Sequence, residues 1–232
     1  EKRLQAIKDF TELGSGFKIA MRDLSIRGAG NLLGAQQHGF IDSVGFDLYS
    51  QMLTEAVQRK QGKNTQTEKT SVEIDLGIDA YLPTTYIEDE RQKIEIYKRI
   101  RELETIDMLD ELQDDLMDRF GEYPDEVAHL LAVGELKMNG DRALLERIRK
   151  QEQLITVVLS KVGTKAYTVE QLFKSLGHTK LKATLGVEKE QMHLKLTIPN
   201  GMKTMVWLHE VQSFVADLRK ERYQTMKEKT TQ

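Results

Sequence analysis

The sequence predicts an α+β protein in which helices come first and most strands come later. Two patterns carry this. Apolar residues recur at helical spacing through 2–13, 46–57 and much of 88–149, whereas 72–80, 154–160, 180–186 and 191–198 alternate or are rich in β-branched residues. A third observation divides the chain. Residues 60–71 contain no large apolar side chain, so they read as a linker between a first part, 1–59, and a second, 72–232.

In the first part, residues 2–13 read as a helix with Leu4, Ala6, Ile7, Phe10 and Leu13 on one side. Arg3 projects near the middle of that apolar stripe, where a charge is costly unless it has a partner or reaches past the helix end. Gly14-Ser15-Gly16 stops the helix, and residues 17–21 alternate like a short strand or an extended hook. Helical spacing returns with Leu48, Met52, Leu53, Ala56 and Val57. A helix, a loop and a helix bury little surface. This part is therefore expected to dock on the second part or on something outside the chain, which reads as a fragment of a larger protein.

In the second part, Val72, Ile74, Leu76, Ile78 and Ala80 alternate with Glu73, Asp75, Gly77 and Asp79, as in a half-buried strand or extended segment closed by Leu82-Pro83. Residues 88–103 and 108–120 read as helices, the second with Leu109, Leu112, Leu116 and Phe120 inward, its acids outward and Gly121 at its end. Pro124 suits the first turn of a third helix carrying Val127, Leu130, Leu131 and Gly134. A short helix over 141–149 is expected next. Then come a strand over 154–160, a helix over 169–176 with Thr168 as N-cap and Gly177 just past its end, strands over 180–186 and 191–198, and a last helix over 203–223 around Val206, Trp207, Val211, Phe214, Val215 and Leu218.

Composition narrows the function. A 39% hydrophobic content suffices for a core, and no apolar run approaches the roughly 18 residues of a membrane span. With no cysteine, disulfides and thiolate metal sites are excluded; the five histidines are scattered, and a reducing cytoplasm is the simplest location. The net charge of −3 excludes a globally basic DNA-coating protein. Residues 102–126 hold eleven acids against the single base Arg119. That block would repel a phosphate backbone and suit a basic protein surface, unless it is simply a solvated helix face. Asp114, Asp115 and Asp118 are its candidate contact residues.

No phosphate-binding loop, dinucleotide fingerprint or nucleophile elbow is present: Gly163-Thr164-Lys165 lacks the upstream glycine, and Gly28-Ala29-Gly30 is followed by Gly34 one position too late. The sequence thus predicts no catalytic centre, metal or cofactor of its own. What remains is residues 22–40, with four glycines in 28–39, two arginines and two glutamines. Glycine permits φ > 0 and close approach, and arginine gives planar bidentate contacts. The stretch is either a tight connection between helices or a loop that holds polar groups against a partner.

The run from Arg22 through Arg27, Gly28, Gly30 and Gly34 to Gln37-His38-Gly39 resembles the TRG ("translocation in RecG") motif of fork-regression and transcription-repair coupling enzymes. The continuation Gly45-Phe46-Asp47-Leu48-Tyr49, with Ala80-Tyr81-Leu82-Pro83, Tyr86-Ile87 and Asp118-Arg119-Phe120-Gly121, is similar to the bacterial transcription-repair coupling factor family. The likeness is strong over 1–59 and 72–140 and weaker after about 150.

The resemblance implies an N-terminal helical hairpin with a hook and loop, then a regulatory domain over 72–232 of helices and a small sheet. The parent would be an ATP- and Mg-dependent translocase on double-stranded DNA that displaces stalled RNA polymerase and brings in the excision-repair protein UvrA. The family's arginine in the first hairpin helix, arginine in the loop and glutamine after it fall on Arg3, Arg27 and Gln37, with Gly28, Gly30 and Gly34 shaping the bend. The regulatory domain would rest on a UvrB-like N-terminal module and restrain both translocation and UvrA recruitment. The ATPase motifs are absent here, so the parent would hydrolyse ATP and this chain would not. A stand-alone protein-binding module without a motor role is the alternative.

Overall fold

The structure, a computed structural model, describes residues 69–231. The expectations for 1–68, including Arg3, Arg27, Gly28, Gly30, Gly34 and Gln37, lie outside the described residues. Those residues fall into two compact units, 78–131 and 69–77 with 132–231. The α+β class and the small sheet hold.

In the first unit, helix α1 spans Glu90–Arg101 and helix α2 spans Ile106–Phe120. Asp89 caps α1 by accepting from Gln92 N (2.9 Å), and Thr105 caps α2 by accepting from Met108 N (3.2 Å). Each cap satisfies an amide that has no partner inside its helix. Ile96, Tyr97 and Ile100 on α1 and Leu109, Leu112 and Leu116 on α2 are buried at the spacing the sequence predicts. Gly121 ends α2 at φ +82°, a conformation that favours glycine, and its N–H returns to Met117 O. The buried Tyr97 hydroxyl accepts from Leu82 N (2.8 Å), which ties the segment before α1 to that helix. Helix α3, Asp125–Arg142, begins directly after Pro124.

The second unit is built on a five-stranded sheet. Strands β1 (Glu73–Asp75), β2 (Leu145–Gln151), β3 (Leu154–Leu159), β4 (Lys182–Glu188) and β5 (Gln191–Thr197) lie in the order β1-β2-β3-β5-β4. β1 runs parallel to β2 and the other neighbours are antiparallel. Ile148, Ile155, Val157, Leu194 and Leu196 are buried, whereas Arg147, Arg149, Lys182 and Thr184 are exposed, so the sheet has one covered and one open face. Helices α4 (Lys161–Ala166) and α5 (Val169–His178) connect β3 to β4, and α6 (Thr204–Thr230) packs against α5.

Two polar anchors organise this unit. Asp141 accepts from Val72 N (2.8 Å) and pairs with Lys137 (3.6 Å), while Thr70 donates through Oγ1 to Leu145 O (2.5 Å). Together these fix the chain just ahead of β1. At the start of α4, Ser160 accepts from Gly163 N (2.9 Å) and donates through its hydroxyl to Leu144 O (2.8 Å). A Cβ on Gly163 would sit 2.4 Å from that carbonyl, so only glycine fits without movement.

Several predicted elements are corrected. The helix expected over 141–149 does not exist. α3 ends at Arg142, Leu144 turns left-handed at φ +61°, and β2 follows. Leu145 and Ile148 are three apart and both buried because a register shift between Leu145 and Arg147 inserts an extra residue. Such a bulge imitates helical spacing in a strand. Helix α4 was not foreseen. Gly177 lies inside α5, not past its end, and α6 runs on to Thr230 with Val206 exposed. The strand expected over 72–80 pairs only over Glu73–Asp75, although Val72, Ile74, Leu76 and Ala80 are buried as the alternation requires.

Candidate functional site

Helix α2 carries the candidate surface. Its buried leucines define one side. At about 100° per residue, Asp107, Asp110, Glu111, Asp114 and Asp118 share an arc of roughly 100° on the other. All five are exposed. Ile106 and Met117, 51% and 44% exposed, border this acidic stripe. The face therefore combines a row of carboxylates with apolar side chains that water covers poorly.

Of the three acids singled out from the sequence, Asp114 and Asp118 belong to the stripe and Asp115 does not. Asp115 lies one step round the helix and meets α1. It accepts from Arg99 (2.5 Å) and Arg119 (3.1 Å), and Arg119 reaches on to Glu95 (3.2 Å). Burial by itself raises the Asp115 pKa, but hydrogen bonds and charge from Arg99 and Arg119 overcome that and hold it below the ordinary carboxylate range. The Glu95 and Asp115 carboxylates hold the Arg119 guanidinium charged. Asp115 thus serves to lock α2 against α1.

The lock extends along the end of the helix. Arg119 stacks over the Phe120 ring (5.0 Å), Phe120 meets Tyr86 at 5.8 Å, and the Tyr86 hydroxyl donates to Gly121 O (2.9 Å). These contacts join residues 86 and 118–121, two of the sequence blocks that carry the family resemblance. The helical spacing of Asp115 and Arg119 at i, i+4 signalled one pair. The roles of Arg99 and Glu95 could not be read, because their partners lie on a different helix.

All five stripe side chains stand exposed on the helix surface. Such a face attracts a cationic surface over about a Debye length and gives way as salt rises. Among the described residues, no three His, Asp or Glu side chains are grouped to hold a metal ion, and no helix is long and apolar enough to cross a membrane.

Comparison with known proteins accords with the geometry. Residues 76–184 match the family model described as the TRCF domain. The transcription-repair-coupling factor of Bacillus subtilis (strain 168) is 49% identical over 97% of this chain, and that of Staphylococcus haemolyticus (strain JCSC1435) is 51% identical over 93%. The chain spans only 19% and 18% of those relatives' lengths. A crystal structure of the C-terminal domain of a transcription-repair coupling factor superposes with a TM-score of 0.65 at 38% identity, covering 68% of this chain and 98% of that one. By sequence along nearly its whole length, and by fold in the part described, the chain belongs to the transcription-repair-coupling factor family.

Proposed function

We propose that this chain is the coupling and regulatory part of a transcription-coupled DNA repair factor. Residues 1–59 carry the motif through which Arg3, Arg27 and Gln37, around the bend at Gly28, Gly30 and Gly34, convert ATP-driven movement of motor lobes into travel along double-stranded DNA. That travel displaces stalled RNA polymerase. Residues 72–232 restrain translocation and UvrA recruitment by resting on a UvrB-like module of the same protein. ATP and Mg belong to the motor lobes of the parent, and the cytoplasm is the compartment.

The observation that carries the regulatory half is the α2 face. It is presented by a helix whose orientation is locked by Arg99, Asp115 and Arg119, and it leaves Asp114 and Asp118 free to meet a basic surface. A contact of this kind holds in the resting protein and yields when a stronger partner competes, which is what a restraint requires. The test is binding of the 232-residue chain to the parent's N-terminal module. Wild-type chain should bind at low salt, and Asp114→Arg with Asp118→Arg should abolish binding. Equal binding by both proteins would refute this reading.

A further inference from the structure

Strand β4 is one of the two edge strands of the sheet, and among the described residues it is bonded to β5 alone. From the side chains and backbone of this strand we propose a second binding surface, whose occupant is the same strand of a second copy of this chain, paired antiparallel about a two-fold axis at Leu185.

The backbone defines which groups are available. β4 and β5 are joined by the two-residue turn Lys189-Glu190, both residues at positive φ (49° and 65°), which brings Glu188 opposite Gln191. In such a hairpin the residues flanking the turn form a hydrogen-bonded pair, and the pairs alternate from there. Gly186, Thr184 and Lys182 therefore bond inward to β5, whereas Val187, Leu185 and Ala183 turn their N–H and C=O groups to the open edge. Among the described residues no hydrogen bond reaches those outward groups from any other element.

An antiparallel partner can use this edge only if outward-facing residues oppose outward-facing residues. Centring the axis on Leu185 meets that condition. Leu185 faces Leu185 of the other copy and Ala183 faces Val187, each pair exchanging its N–H···O bonds across the axis. The side chains then fall into place. Lys182 stands opposite Glu188 of the other copy at both ends of the interface, and Thr184 stands opposite Gly186.

The strand thus reads as its own charge complement. Opposite charges directly across an antiparallel pair stabilise it and like charges destabilise it. On the other face, Val187 is 64% exposed and Leu185 is half-buried. Both would be covered by their counterparts. Strands that guard an edge against pairing place a charge inward or break the strand with proline or a bulge. β4 has its charges only at its two ends, on the open face, and the register with β5 is unbroken from Lys182 to Glu188. An interface of one strand is small, so the association is weak and concentration-dependent.

The experiment is sedimentation velocity of the 232-residue chain over a concentration series. Wild type should show reversible monomer–dimer exchange. Glu188→Lys places lysine opposite lysine twice and should weaken association roughly tenfold. Lys182→Glu combined with Glu188→Lys should restore it. Val187→Pro removes an outward N–H without taking a bond from the β4–β5 ladder, and should also disperse the dimer while circular dichroism stays unchanged. A wild-type chain that remains monomeric throughout overturns the proposal. So does a dimer that survives both Glu188→Lys and Val187→Pro, or a double charge swap that fails to recover association.

Discussion

The Arg99 guanidinium on α1 grips the Asp115 carboxylate on α2 at 2.5 Å, and Arg119, one helical turn on, takes the same carboxylate at 3.1 Å. One half-buried acid therefore joins two helices and steadies the face on which the other acids stand.

This lock has a pH signature. Asp115 has a pKa held below its unfolded value, so its contribution is complete above the ordinary Asp range and is lost as pH falls through the depressed folded pKa. Stability measured by urea melts should fall below about pH 4. Asp115→Asn should flatten that part of the profile while lowering stability at pH 7. An unchanged acid limb in the mutant would show that the pair contributes nothing.

Gly163 sits where a methyl group has no room. An added Cβ would come within 2.4 Å of the Leu144 carbonyl, which also accepts from Ser160 N (3.0 Å) and Ser160 Oγ. A backbone oxygen held at both of those points cannot step aside cheaply. Gly163→Ala should cost about 1–3 kcal/mol, read as a lowered thermal midpoint, whereas Gly186→Ala, with open space at its Cβ, should cost much less.

Asp141 should separate the need for an acceptor from the need for a charge. Burial pushes its pKa up, against the pull of Lys137 and the Val72 amide. Asparagine keeps an oxygen for Val72 N, whereas alanine takes away both that acceptor and the carboxylate beside the buried Lys137. Asp141→Ala should therefore destabilise by roughly 2–4 kcal/mol, and Asp141→Asn by about half as much. Hydrogen exchange at Val72 should accelerate mainly in the alanine variant.

The coupling role proposed for residues 1–59 is checked in the parent protein. Arg27→Ala should leave ATP binding intact and abolish displacement of stalled polymerase, because the arginine is asked to transmit movement and not to bind nucleotide. Displacement at wild-type rate by that variant would remove it from the mechanism.

Helix α2 was legible almost residue by residue. Leu109, Leu112 and Leu116 recur on one face, Gly121 ends the helix, and every acid except Asp115 projects outward. Thr168 was equally clear. It caps α5 through a reciprocal box with Gln171, two residues whose spacing is itself the signal. β2 was not legible, because the bulge at Leu145/Arg147 places two buried residues three apart, as a helix would. The pairing of Asp115 with Arg99 was hidden for another reason: sixteen positions separate them, and nothing local brings α1 and α2 together.

By itself the sequence determined the order of most helices and strands, the acidic character of α2 and the family likeness, since periodicity, capping and charge are properties of neighbouring residues. Only the tertiary structure decided which acid on α2 is spent on the fold and which remain outward, that residues 145–151 become a strand, and that β4 lies at an edge. Each of these depends on contacts between segments far apart in the chain, whose free energy outweighs local preference once the sheet and the helix pairs have formed.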